Sequence, residues 1–376
     1  MGSYCDAASE HRKLPMVSLG KTGTRCSCFG LGGFHQVEVS SEIVEQVVDA
    51  YLAEGGNYIE TARDYGRGAS EEKIGRALGT RRSEVVLCSK TSAATSDQLK
   101  SDLDASLKAL RTDHLEFYFF HCVDQDKLDA ITASGGALEA MIEARSQGTI
   151  GGIGFTSHVP AMYLDAIERI DLSIILVWLN YLDDLNFPII AERVIPAAKK
   201  REIAITAMKP LADGLLHASV SAAIGYCLAA GAEVAVCGTN SVQQVQQVAA
   251  AVRSGPTDKQ GMARILADAP ELGRYVCRRC GKCSKELMEL FRLEGMFDRQ
   301  MMDCLPHNPA DRALRKMLSH WFGQDAAAKR EYLDAGYDTA RLLAEARTVD
   351  CPYGIDVGRK AALTHAKLTG NPTQLL

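Results

Sequence analysis

Four residues of this chain are of types that move protons or hold charge, and each lies at or just past the end of a short apolar run. Glu60 closes the run Tyr58-Ile59-Glu60, and Tyr65 follows in the polar loop Thr61-Ala62-Arg63-Asp64-Tyr65-Gly66. Lys90 follows a second apolar run, and His121 a third that includes Phe117, Phe119 and Phe120. An acid and a tyrosine on one loop are two proton-handling groups within reach of each other. A tyrosine, with a pKa of about 10, is a poor acid or base at neutral pH unless a cation lowers that value, and Lys90 can be the cation. Glu60 would then hold Lys90 in place, and His121 would orient a substrate oxygen. Taken singly, each has a plainer reading: a hydrogen-bonded core histidine, a surface lysine, a packing tyrosine. Only convergence on one face separates the two readings.

Convergence requires elements that deliver these residues to one place. Between residues 28 and 252 short apolar runs alternate with amphipathic stretches. Strands are expected at 28–31, 58–60, 85–88, 115–120, 152–155, 174–177, 203–207 and 234–237. Helical patterns are expected at 41–53, 71–78, 96–110, 138–147, 188–200, 220–228 and 241–252. Strands alternating with helices, with no hairpin inside the run, have the period of an α/β protein of the (β/α)8 TIM-barrel type. A hairpin-like segment at 15–18 and 24–27 precedes the run and can plug the barrel's N-terminal face. Catalytic groups of such barrels lie at the C-terminal strand ends, where Glu60, Lys90 and His121 fall, with Tyr65 in the following loop. Ser254-Gly255-Pro256-Thr257 marks a boundary. The expected organisation is a polar tail at 1–14, the barrel at 15–253 and a mainly helical C-terminal domain at 254–376.

The chain has 376 residues, 47% hydrophobic and 24% charged, enough for a barrel of roughly 250 residues plus an appendage. A net charge of −5 supplies no basic field for nucleic acid or an anionic membrane, so the expected partner is a small molecule. No apolar run approaches the about 18 residues of a membrane span, and residues 1–13 hold no apolar leader segment; the expected location is the cytoplasm. There, twelve cysteines read as metal ligands or buried small side chains rather than disulfides. Cys277, Cys280 and Cys283 put three thiolates on one tight turn, and Cys351-Pro352 completes a four-thiolate set with the composition of a [4Fe–4S] site. A structural zinc ion also suits four thiolates, and Cys304 is a second candidate for the fourth ligand. With only three thiolates, an open iron would act as a Lewis acid on a substrate hydroxyl. Residues 285–297, 311–321, 326–335 and 339–346 show helical spacing, and His307, His320 and Trp321 read there as packing residues.

The motifs together resemble the aldo-keto reductase family. Its strand-and-loop pattern is matched by Glu60-Thr61-Ala62-Arg63-Asp64-Tyr65-Gly66 with Ser70-Glu71, its lysine by Ser89-Lys90-Thr91, and its histidine by Phe119-Phe120-His121. Leu19-Gly20-Lys21-Thr22-Gly23, Gly30-Leu31-Gly32-Gly33, Gly154-Phe155-Thr156-Ser157-His158 and Ala207-Met208-Lys209-Pro210-Leu211 follow the family's order. The resemblance implies hydride transfer between NADP or NAD and a carbonyl or alcohol substrate, with Tyr65 giving the proton. It implies Thr156, Ser157 and Asn180 at the carboxamide end of the cofactor. Lys209 and the turn Gly238-Thr239-Asn240-Ser241, opening a helix that carries Gln244, would serve the other end. Some relatives carry a C-terminal ferredoxin-like cysteine motif, which here is split by residues 284–350. The chain departs from the family in having no arginine after Asn240 until Arg253, which leaves NADP and NAD both open. It also has Glu60 where the family has aspartate. The extra methylene moves the carboxylate about 1 Å, a displacement that can cost about 100-fold in rate. Two other readings stand beside this one. The first is an iron-sulfur lyase or hydratase acting on a hydroxylated small molecule without nicotinamide turnover. The second is a non-catalytic electron-transfer subunit with a redox partner. A hydride carries two electrons and one cluster accepts one, so the cluster is expected to be structural.

Overall fold

The structure, a computed structural model, describes residues 13–300 and 323–370. It opens with an antiparallel hairpin, β1 (Met16–Ser18) and β2 (Arg25–Ser27). Eight parallel strands follow: β3 (Phe29–Gly32), β4 (Tyr58–Glu60), β5 (Val86–Thr91), β6 (Leu115–Phe120), β7 (Ile150–Thr156), β8 (Ile174–Trp178), β9 (Ala204–Met208) and β10 (Val234–Gly238). Each pairs with the next, and β10 returns to β3, closing the expected barrel.

Side chains alternate across a strand, and that alternation decides what faces the barrel axis. On β4, β5 and β6 the inner core takes Tyr58, Val86, Cys88, Phe117 and Phe119. The outer core against the helices takes Ile59, Leu87, Tyr118 and Phe120. Two residues further along the inner row of each strand stand Glu60, Lys90 and His121. The same period that fills the barrel with apolar groups therefore aims these three inward at its C-terminal mouth. Gly154 on β7 makes room for this filling, since a Cβ there would lie 2.3 Å from the Phe119 ring.

The hairpin closes the opposite end, as expected. Leu19 and Cys26 are fully buried against the inner row, and the Lys21 amide donates to Glu202 O at 2.9 Å. Of the helices, Ser41–Ala53 and Ser96–Leu110 fall where their patterns place them, begun by Ser40 and Thr95 side chains that accept from the first-turn amides. Met162–Arg169 and Tyr181–Asn186 are helices that the periodicity did not signal, and residues 188–200 form a π-type turn, Ile190–Val194, leading into Ile195–Lys200.

After the helix Val242–Arg253 the chain is at the hairpin end and climbs back along the barrel wall. The Thr257 amide donates to Gly225 O at 3.0 Å, and Tyr181 donates to Glu271 Oε2 at 2.9 Å. Helices Lys285–Asp298, Gln324–Ala335, Thr339–Ala346 and Val357–Thr369 then build a second core around Leu287, Phe291, Leu293, Tyr332 and Leu342. Within it the buried Glu294 accepts from both Lys360 and Lys367. This appendage rests on the mouth of the barrel. Gly295 permits the contact, because a Cβ there would lie 1.8 Å from Asn186 Oδ1. Gln300 donates to Asn186 Oδ1 at 2.8 Å, and Gln324 donates to His158 O at 2.9 Å. Cys5, Cys304, His307, His320, Trp321 and the expected helix at 311–321 lie outside the described residues.

Candidate active site at the barrel mouth

Lys90 is the hub of the site. Its Nζ donates to Glu60 Oε1 at 2.5 Å, to Thr61 O at 2.9 Å and to the Tyr65 hydroxyl at 3.1 Å, which uses all three ammonium protons. The longer carboxylate thus still holds Lys90 beside Tyr65. It does so with one oxygen: Glu60 Oε2 is buried with no hydrogen-bond partner among the described residues. Burial opposes the charge on Lys90, but Glu60 and then Tyr65 outweigh it and hold its pKa above the ordinary value. Tyr65 departs from the sequence expectation. Burial pushes its hydroxyl above the usual value, and the lowering by Lys90 does not overcome this, because Glu60 pushes upward as well. Tyr65 is therefore held protonated beside a cation, the state of a proton donor.

The ring of His121 stands edge-on to Tyr65, centroids 5.6 Å apart, and Phe34 packs on Tyr65 at 5.2 Å. His121 Nδ1 lies 3.0 Å from Asp64 Oδ2, which also accepts from Ser92 Oγ at 2.5 Å. Burial lowers the His121 pKa to about 4 against the opposing pull of Asp64. The His121 contact, with help from Ser92, lowers Asp64 to about 2. At neutral pH the pair is a neutral imidazole on an ionised carboxylate. Asp64 did not stand out in the sequence beyond its place next to Tyr65.

The residues expected around a nucleotide fall on the same rim with different degrees of freedom. Thr156 ends β7 and Ser157 follows it, where Ser157 Oγ donates to Val123 O at 2.5 Å and accepts from the Val159 amide at 2.9 Å. Asn180 caps the helix Tyr181–Asn186. It accepts from the Leu182 and Asp183 amides and donates to Asp183 Oδ2 at 2.7 Å and Lys209 O at 2.9 Å, so its amide is fully used. Lys209 stands 3.4 Å from Asp213. Arg299, from the appendage, inserts between Asp183 and Asp213 at 3.0 Å from each, with only 1% exposure, and neither its role nor that of Gln324 was legible beforehand. Beyond Gly238, the Asn240 amide donates to Gln244 Oε1 at 2.8 Å, while the buried Thr239 hydroxyl has no partner among the described residues.

The cysteine motif forms a separate feature of the appendage. Cys277, Cys280, Cys283 and Cys351 line one cavity with Met288, Phe291 and Ile355. Its floor is tied to the barrel through Gln300, which accepts from the Cys277 amide at 2.8 Å and donates to Asn186. Burial pushes the Cys277 thiol up, and burial with the neighbouring thiols pushes Cys283 up to about 11. Among the described residues no group of three or more His, Cys, Asp or Glu side chains is placed to hold a metal ion.

Over residues 28–224 the sequence matches the Aldo/keto reductase family. The uncharacterized oxidoreductase YqkF of Bacillus subtilis is 25% identical over 218 residues, 54% of this chain and 66% of YqkF, so the match spans just under two thirds of that relative. The structure superposes on the holo form of aldo-keto reductase AKR11C1 from Bacillus halodurans with a TM-score of 0.60 at 21% identity, covering 67% of this chain and 96% of that one. It superposes on an aldo-keto reductase from Klebsiella pneumoniae, solved in complex with NADPH, with a TM-score of 0.57 at 22% identity, covering 68% and 94%. At these identities the structural matches speak for the fold. The matched segment is more than half of the chain and carries the barrel strands that deliver Glu60, Lys90 and His121; the chain belongs to the aldo/keto reductase family.

Proposed function

We propose that the protein is a nicotinamide-dependent oxidoreductase acting on a small carbonyl or alcohol substrate at the barrel mouth. The observation that carries this reading is the single ammonium of Lys90 bonded to both Glu60 and the Tyr65 hydroxyl. NADPH or NADH, held by Thr156, Ser157, Lys209, Gly238, Thr239, Asn240 and Gln244, with Asn180 fixing the Lys209 backbone from behind, would supply a hydride to the carbonyl carbon. Tyr65 donates its proton to the carbonyl oxygen, and Lys90 stabilises the tyrosinate left behind. Glu60 keeps Lys90 charged and fixed. Arg299 and Gln324 bring the appendage over the mouth, where it limits water and substrate shape.

The same proposal assigns Cys277, Cys280, Cys283 and Cys351 as ligands of a [4Fe–4S] cluster, in a C-terminal domain at 254–376 distinct from the barrel at 15–253. Zinc at about 2.3 Å from each sulfur would draw four thiolates together around one ion. What supports the reading is that all four cysteines line one cavity. A cluster supplies one-electron chemistry, whereas the barrel site moves a proton and a hydride, so the cysteines are given a structural role. Free thiols in such number are in keeping with a reducing cytoplasm.

Anaerobic purification with titration by NADH and NADPH, followed by carbonyl reduction with Tyr65→Phe, tests the reading. Nucleotide binding with at least about 100-fold loss of turnover in the variant supports it. Undiminished reduction by the variant refutes it.

A further inference from the structure

His121 offers the substrate one nitrogen, and its chemical character follows from what the other nitrogen does. Asp64 Oδ2 is an ionised acceptor that already takes the Ser92 hydroxyl proton, so the 3.0 Å contact with His121 Nδ1 needs a proton on Nδ1. The ring is neutral when buried here, with 8% exposure, and Nε2 then carries a lone pair. Nε2 has no hydrogen bond to any described residue and is not among the fully enclosed polar atoms lacking a partner, which leaves it facing the barrel mouth. Lys127 holds the other side of the residue, its Nζ donating to His121 O at 2.8 Å.

We propose that Asp64 is a positioning residue that turns His121 into a hydrogen-bond acceptor, and that the substrates of this site therefore carry a hydroxyl on the carbon next to the carbonyl. The inference rests on the reductase reading above. A lone pair on Nε2 repels the lone pairs of a carbonyl oxygen, so that oxygen belongs to Tyr65, the protonated donor. The ring beside it, 5.6 Å away centroid to centroid, is placed to accept from a hydroxyl one carbon further on. A bound plain ketone shields the acceptor from water without offering it a donor, and an unpaired polar group of that kind costs about tenfold or more in discrimination.

The test has two arms on the full chain. In the first, the side-chain nitrogens of 15N-histidine-labelled protein are read by NMR, with His121→Phe identifying the resonance. The expected result is a neutral ring protonated at Nδ1 in the wild type, shifting to Nε2 in Asp64→Asn, whose amide can donate to Nδ1. An Nε2–H ring in the wild type overturns the proposal, whatever the activity. In the second arm, kcat/KM is compared for an α-hydroxyketone and the ketone lacking that hydroxyl. The wild type should favour the hydroxyketone by about tenfold or more, Asp64→Asn should lose that preference, and Asp64→Glu should restore part of it. A wild type without preference, or an Asp64→Asn variant that slows both substrates equally, also overturns it. Nδ1–H in the wild type with no reduction of either ketone removes the reductase reading and the substrate class with it, leaving only the Asp64 tautomer assignment standing.

Discussion

Lys90 and Glu60 are the two side chains of the site that tolerate change least, because their partners are fixed and water is excluded. Their side chains are 1% and 5% exposed. Removing the cation in Lys90→Met leaves a buried carboxylate with neither oxygen paired, and such a loss costs roughly 3–5 kcal/mol. The expected outcome is a large drop in the urea midpoint together with loss of turnover, whereas Tyr65→Phe should lose turnover with stability little changed. His121 gives a pH signature. Its folded pKa of about 4 lies below the unfolded value of about 6.5, so the unfolded chain binds the extra proton between these values. Its contribution to stability is complete above about pH 6.5, declines as pH falls, and is lost by about pH 4. By pH 5 the loss is about 2 kcal/mol. Urea unfolding at pH 7.5 and pH 5 should show the wild type losing more than His121→Gln by about that amount, and equal losses would remove the claim that the ring is buried neutral. Of these residues Glu60, Lys90 and His121 were legible because each ends an apolar run whose period is known, and Tyr65 because it sits in the loop that Glu60 opens. Asp64 was not, because its partner is 57 positions away and only the closed barrel brings the two together.

At the scale of elements, the inner and outer rows of the strands carry the explanation. All eight strands were legible from apolar runs, with the bounds of β5 moved to Val86–Thr91 and of β7 to Ile150–Thr156. The C-terminal extensions, Ser89-Lys90-Thr91 and Thr156, are polar residues that a search for apolar runs stops at, and Ile150 is cut off from its run by Gly151 and Gly152. Met162–Arg169 and Tyr181–Asn186 escaped notice because eight and six residues hold barely two turns of periodicity. The second of these helices matters most for the site, since Lys285–Asp298 docks on it. Gly295→Val would place side-chain atoms where Asn186 now sits. The expected outcome is a loss of about 1–3 kcal/mol and faster hydrogen exchange in both helices, with the strands of the barrel unaffected. Protection of both helices at the wild-type level would contradict the close approach.

At the scale of the whole molecule, the question is how the appendage and the barrel act together. Sequence placed the boundary after Val252 and the clustered cysteines, but could not show that the tail returns to the mouth. That follows from side chains far apart in the chain, Arg299 with Asp183 and Gln324 with His158. If the cysteine cavity holds a cluster, the anaerobic chain should contain about four iron and four sulfide and negligible zinc. Cys280→Ser and Cys351→Ser should each lower that content, and one zinc per chain without sulfide would overturn the assignment. Because Gln300 links the Cys277 amide to Asn186, loss of the metal should also loosen the docked helix, measurable by limited proteolysis after chelation. The central claim is that this mouth moves a hydride and a proton with Tyr65 as the acid. Its most direct measurement is single-turnover transfer of deuterium from 4-deuterated NADPH or NADH to an α-hydroxyketone. The account predicts deuterium on the carbinol carbon of one product stereoisomer in the wild type, and at least about 100-fold slower transfer in Tyr65→Phe. Absence of deuterium in the product, or equal transfer rates in the two proteins, would contradict it.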